Sequence, residues 1–163
     1  MPNVLIRQAT SEDIETVFDI LNEAALWLKQ RNMKLWGRRE ISAKIIASDI
    51  QLGLFYIAFY ENSAVGVVKF QIEDQVFWSD IPHQDSAFIH RLAVRRNFAG
   101  GSISTALMTW AVDRSRRLGK RYLRLDCDGE RLSLRSVYEK FSFRHHSDRQ
   151  IGAYFVARYE YEI

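Results

Sequence analysis

Apolar side chains recur along this chain with two different periods, and the switches between them predict its elements. Val4 to Arg7 predicts a short first strand. Ile14, Val17, Phe18, Leu21, Ala25 and Leu28 then fall at helical spacing. Thr10, with Asp13 three residues on, has the form of a capping box, so this helix begins at Ser11. Glu40 to Asp49 predicts a second helix with Ile41 and Ile45 on one face. Leu54 to Tyr60 and Ala64 to Gln71 are β-rich runs joined by the polar turn Glu61-Asn62-Ser63, the pattern of an antiparallel hairpin. Ile72 to Asp85 carries Asp74, Trp78, Asp80, Pro82, His83 and Asp85 with no usable period and reads as a surface loop.

Ser86 to Val94 predicts a strand that ends in Arg95-Arg96. The pair Gly100-Gly101 follows, then a helix from Ser102 to Leu118 with Ile103, Leu107, Trp110 and Ala111 at helical spacing and Gly119 as its stop. Arg121 to Cys127 alternates, with Leu123, Leu125 and Cys127 on one face and Tyr122, Arg124 and Asp126 on the other. Arg131 to Phe141 predicts a helix with Leu134, Val137, Tyr138 and Phe141 on one side, and Ser142–His146 and Ala153–Tyr161 read as two final strands. The order β-α-α-β-β-β-α-β-α-β-β implies an α/β protein of mixed α+β type, a mixed central sheet with helices on both faces. Its 163 residues fit a single domain, 1–163, with a sizeable core.

Composition narrows the class. Hydrophobic residues at 47% and charged residues at 26% are ordinary for a soluble globular chain. A membrane span needs about 20 apolar residues in a row, and no run reaches that, so no membrane partner is expected. The opening MPNVLIRQATSED lacks the basic-then-apolar plan of a secretory signal. The lone Cys127 excludes an internal disulfide and a multi-cysteine metal site. These features favour a cytoplasmic protein without a metal. Net charge is only +3, yet nine lysines and arginines stand against one aspartate between Arg91 and Arg124. Such a patch suits nucleic acid, a phosphate-bearing ligand or a solvated helix face. The mild overall charge ranks nucleic acid last.

The stretch from His90 to Arg121 carries the chemistry. A strand, two arginines, two glycines and a helix N-terminus form an anion-binding device, because first-turn N–H groups lack partners and glycines admit a ligand close to the backbone. The expected anion is a phosphate; taken alone, the stretch fits better an ordinary strand-to-helix turn whose glycines only tighten the bend, and the downstream residues shift the balance toward the anion. Neither a G-x-G-x-x-G fingerprint nor a Walker A lysine is present.

Three stretches resemble the GNAT superfamily of N-acetyltransferases. LAVRRNFAGGSIS (Leu92 to Ser104) looks like the acetyl-CoA signature after the fourth strand, LRLDCD (Leu123 to Asp128) like the fifth strand, and VYEKFSF (Val137 to Phe143) like the ending written Y-x-x-x-G-F. The opening IRQATSEDIETVFDIL is also similar to many members. The resemblance implies the GNAT fold, with about seven strands flanked by about four helices, and acetyl-CoA as co-substrate in transfer of acetyl to an amine. It implies that backbone groups of Leu92, Ala93 and Val94 meet the pantetheine arm. The pyrophosphate would sit on Ala99, Gly100, Gly101, Ser102, Ile103 and Ser104, with Arg95 and Arg96 adding charge. The family's turn is Q/R-x-x-G-x-G/A, whereas the matching positions here are Ala99, Ser102 and Ser104. A lost contact to a charged group costs roughly 1.5–3 kcal/mol, so acetyl-CoA binding is expected to be retained but weakened by about one to two decades. Arg131 stands where the family often has Asn, and Ser142 replaces the glycine of the G-F pair; either that turn needs no positive φ, or serine adopts it at a cost.

For the chemistry, Tyr138 matches the family tyrosine and is the candidate acid for the leaving thiolate; a phenol with an ordinary pKa of about 10 is protonated at neutral pH. His90, in H-R-L-A-V on the fourth strand with Phe88, Leu92 and Val94, is the candidate base. A packed strand histidine explains it equally well. Glu61, Asp80, Asp85 and Asp126 are weaker alternatives. Cys127 shares a face with Leu123 and Leu125 and reads as packing rather than an acetyl carrier. His145-His146 has no accompanying ligand set. Trp27, Met33 and Trp36 either line a substrate pocket or plug a helix end. Two hypotheses follow: an N-acetyltransferase acting on a small-molecule or peptide primary amine, or a catalytically weak GNAT-fold module that binds CoA for regulation. Homodimers are common in the family.

Overall fold

The computed structural model of this chain describes residues 3–33 and 40–163. Trp36 therefore lies outside the described residues. Within them the elements are β1 (Val4–Gln8), α1 (Ile14–Lys29), α2 (Ala43–Gln51), β2 (Phe55–Tyr60), β3 (Ser63–Gln71), β4 (Ser86–Val94), α3 (Ser102–Arg117), β5 (Tyr122–Asp128), α4 (Leu132–Lys140), β6 (Arg144–Ile151) and β7 (Tyr154–Glu162). The strands form a mixed sheet in the order β1-β2-β3-β4-β5-β7-β6. The chain divides into two compact units, residues 1–69 with 91–108 and residues 70–90 with 109–163.

In the first unit, Thr10 and Asp13 close the predicted capping box, with the Thr10 amide donating to Asp13 Oδ2 at 2.7 Å. The turn they cap is a single 3-10 turn, Ser11–Asp13, that leads into α1. Arg7 locks the same carboxylate with a 2.7 Å ion pair. Ser42 caps α2 by accepting from the Ile45 amide at 3.2 Å, so this helix starts later than its apolar pattern and runs on to Gln51. Val17, Ile20 and Leu21 of α1 pack with Ile46 and Ile50 of α2 against Phe55, Ile57, Val67 and Ala93 of the strands. β2 and β3 pair antiparallel up to Tyr60↔Ser63. Their two-residue turn has Glu61 and Asn62 at φ 49° and 66°, the left-handed pair that matches strand twist. A Cβ on Gly66 would stand 3.1 Å from the Ala93 carbonyl and from the Ile103 and Leu107 side chains, so a larger residue there would press on three neighbours at once.

In the second unit, β4 and β5 pair in parallel through Ser86↔Tyr122, Ala87↔Leu123 and Phe88↔Arg124. β5 pairs antiparallel with β7 along its whole length, and β7 with β6. The 72–85 segment departs from the surface loop expected of it. Trp78 is fully buried, with Phe88 and His146 at ring distances of 6.1 and 5.2 Å and the Arg158 guanidinium 4.6 Å from its ring centre. Arg158 is itself buried, and it ion-pairs with Asp80 at 2.7 Å and donates to the Phe77 carbonyl at 2.9 Å. An indole and an arginine thus pin a segment that has no hydrophobic period. β6 also runs further than its sequence signal, to Ile151, because its alternation is of polar residues (RHHSDRQI) at the sheet edge.

The end of α4 settles the question raised by Ser142. Its amide donates to the Glu139 carbonyl and the Phe143 amide to the Tyr138 carbonyl, both at 3.0 Å, and Ser142 has φ 88°. This is a Schellman C-cap with serine at the position that favours glycine.

Candidate active site

The turn after β4 belongs to the first unit. Beyond Val94 the chain makes a 3-10 turn, Arg96–Phe98, extends at Ala99 and reverses at Gly100, whose φ of 96° only glycine adopts freely. α3 then starts at Ser102. The Ser102, Ile103 and Ser104 amides fall in its first turn, where N–H groups have no partner inside the helix. A Cβ placed on Gly100 or Gly101 would meet nothing within 4 Å, so the approach to the backbone is open. The Ser104 hydroxyl turns back to the Gly101 carbonyl at 3.1 Å. These features fit a pyrophosphate.

The two arginines are less available than the sequence implied. Arg95 Nε donates to the Ala64 carbonyl at 2.9 Å, and its guanidinium lies 3.8 Å from Glu23. The Arg96 guanidinium covers the Trp27 ring at 3.7 Å, and its amide donates to Glu23 Oε2 at 2.8 Å. Trp27 is thereby accounted for as a stacking platform, with Arg31 at 4.0 Å from its ring as well.

The titratable groups gather in the second unit. Parallel pairing stops at Phe88↔Arg124, although β5 continues to Asp128. His90 and Asp126 stand two residues beyond that last pair on their respective strands. The residue after His90, Arg91, has φ 54°, a left-handed conformation in mid-strand that non-glycine residues rarely adopt. His90 Nε2 lies 2.9 Å from Asp74 Oδ2 and Nδ1 lies 3.8 Å from Asp126 Oδ2, with all three side chains at most 10% exposed. Asp74 Oδ1 accepts the Val76 and Phe77 amides at 3.0 and 2.9 Å. Burial pushes the Asp74 carboxyl up, but His90 and those two amides together outweigh it and hold it below the ordinary carboxylate range. One ligand atom from each of Asp74, His90 and Asp126 falls within 4.8 Å of the others.

Tyr138 is the one buried residue of α4, with Phe143 and Tyr159 at ring distances of 5.9 and 6.3 Å. Val137, expected beside it on the apolar side, is exposed. Burial, then the neighbouring Cys127, pushes the Tyr138 hydroxyl up, so it holds its proton across the working pH range. Burial, then Asp126, pushes the Cys127 thiol up to about 12, which leaves almost no thiolate for attack on a thioester.

Of the remaining sequence candidates, Asp80 is held by Arg158 and Arg149, and Asp85 accepts from Ser86 and lies 4.0 Å from Arg124. Glu61 is in the β2–β3 turn. His145 pairs with Asp148 at 2.8 Å, and His146 packs on Trp78. Sequence reasoning missed Asp74 as a partner of His90. Its only signal was one aspartate among three in a segment without a period.

The family model described as "Acetyltransferase (GNAT) family" matches residues 14–143. The chain belongs to the GNAT acetyltransferase family and is an acetyl-CoA-dependent acyltransferase. It is 28% identical over 141 residues to YesJ of Bacillus subtilis (strain 168), described as an uncharacterized N-acetyltransferase, a match spanning 83% of this chain and 78% of that one. In fold it is similar to a GNAT-family acetyltransferase from Listeria monocytogenes 4b F2365 (TM-score 0.83, 22% identity, 98% of this chain and 95% of that chain). It is also similar in fold to the PaiA N-acetyltransferase of Thermoplasma acidophilum in complex with coenzyme A (TM-score 0.77, 19% identity, 98% and 99%). Among the described residues, no helix is long and apolar enough to cross a membrane.

Proposed function

We propose that this protein acetylates a primary amine of a small molecule or peptide by direct attack of the amine on the acetyl-CoA thioester. The observation that carries the reading is the row Asp74–His90–Asp126 at the end of the paired part of β4 and β5. Leu92, Ala93 and Val94 offer backbone groups to the pantetheine arm. The amides from Ala99 to Ser104 take the pyrophosphate, with Arg95 and Arg96 adding the charge that Glu23 leaves them.

In the reaction the ammonium form of the amine first gives one proton to His90, which passes it to solvent; the free amine nitrogen then bonds to the thioester carbon while His90 takes the second proton that the nitrogen loses. The tetrahedral oxyanion collapses, the carbon–sulfur bond breaks, and Tyr138 gives its proton to the departing thiolate. Solvent then reprotonates the tyrosine, and His90 releases its proton. The products are the N-acetyl amine and CoA. The high thiol pKa of Cys127 supports direct attack over an acetyl-cysteine intermediate. A reducing cytoplasmic setting suits the lone free cysteine.

The test is release of free thiol from acetyl-CoA with a panel of primary amines, before and after dialysis against a chelator. His90→Ala is expected to lower kcat/KM by about 10²–10⁴-fold and Tyr138→Phe to lower kcat, with acetyl-CoA affinity kept. Unchanged kcat/KM in His90→Ala removes His90 as the base. Loss of activity on chelation reassigns the three-residue row to a metal ion. Calorimetric binding of acetyl-CoA without turnover of any amine favours the regulatory CoA-binding module.

A further inference from the structure

We infer that Asp74 is a positioning residue that fixes His90 in the Nε2-protonated tautomer, so that Nδ1, on the Asp126 side, is the atom that accepts the proton of a cationic amine. The inference rests on the reading of His90 as the base.

His90 Nε2 stands 2.9 Å from Asp74 Oδ2 outside hydrogen-bond alignment, and because a carboxylate oxygen carries only lone pairs its negative charge favours a proton over a lone pair on the nearer ring nitrogen. Asp74 Oδ1 is committed to the Val76 and Phe77 amides, which fixes the carboxylate and leaves Oδ2 beside His90. Asp126 Oδ2 stands 3.8 Å from Nδ1, a weaker competitor for the single proton of a neutral imidazole. The proton therefore resides on Nε2 and the lone pair on Nδ1. An alkylamine approaches as an ammonium ion at neutral pH. On the Nδ1 side it meets a carboxylate that attracts its charge and a lone pair that accepts its proton. Two aspartates beside one histidine thus have different duties: one sets the tautomer and the other draws the substrate.

The experiment is nitrogen-15 NMR of protein labelled at histidine, at a pH where His90 is neutral, with His90→Gln supplying the assignment. The wild type is expected to show a protonated Nε2 and an unprotonated Nδ1. In Asp74→Asn the side-chain oxygen stays on the two backbone amides and the NH2 group turns to His90. Nε2 must then accept, and the tautomer is expected to switch to Nδ1–H. Activity should fall with it, by roughly tenfold or more in kcat with acetyl-CoA affinity retained. A wild type protonated on Nδ1, or an Asp74→Asn protein that keeps the Nε2 proton, overturns the inference. Full activity in His90→Ala, with the tautomers as expected, instead overturns the assignment of His90 as base and the catalytic half of this inference with it.

Discussion

The Glu23 carboxylate accepts the main-chain amide of Arg96 at 2.8 Å and lies 3.8 Å from the Arg95 guanidinium. One acidic side chain of α1 thus engages both arginines that precede the anion turn. It anchors the turn and also places a negative charge beside the amides proposed to take the pyrophosphate. Glu23→Gln keeps an acceptor for the amide and removes the charge. Acetyl-CoA is expected to bind about twofold to fivefold more tightly at low salt, the worth of about 0.4–1 kcal/mol for a partly exposed charge. Raising the salt should shrink the gain. Calorimetric titration at two salt concentrations checks both parts, and equal affinities at low salt refute the argument.

Acid should weaken the fold through two carboxylates that are ion-paired. The Arg7 hydrogen bond holds Asp13 at about 2, and the Arg158 hydrogen bond holds Asp80 at about 2, against 3.8 for an ordinary aspartate. A carboxylate depressed in the folded state stabilises fully above its unfolded pKa and loses that contribution as the pH falls to its folded value. The window here runs from about pH 4 down to about pH 2. Thermal melts of wild type and Asp13→Asn are expected to differ in Tm at pH 7 and to converge near pH 2. A constant difference across that range contradicts the linkage.

Serine at the α4 C-cap costs stability. Ser142 sits at φ 88°, where a Cβ is unfavourable, while its amide and that of Phe143 complete the cap. Ser142→Gly is expected to stabilise by about 1 kcal/mol, the left-handed penalty less the extra freedom of glycine in the unfolded chain. Denaturant unfolding with an unchanged slope and a higher midpoint would bear this out. A lower midpoint would mean the serine hydroxyl contributes more than its backbone costs.

Most of the fold is legible in the sequence because it rests on periodic apolar burial and local capping. Val17 and Leu21 sit where the helical spacing puts them, and Thr10 and Asp13 close the box that their spacing implies. The glycine turn ahead of α3 is legible for the same reason, since Gly100 and the helix start are local features. Trp78 and Asp74 were not legible. Their burial depends on Arg158 and His90, which come from distant parts of the chain, and no period within 72–85 encodes such partners. The engagement of Arg95 and Arg96 by Glu23 was not legible either, because Glu23 stands more than seventy residues earlier and leaves no trace in their own neighbourhood.

The left-handed backbone at Arg91 constrains inheritance as well as geometry. Glycine or asparagine at that position would keep the turn of β4 next to His90, whereas valine or isoleucine would resist it on steric grounds. Variation among descendants of this chain should therefore be filtered at residue 91 by main-chain shape as well as by the 3.7 Å ion pair to Glu40.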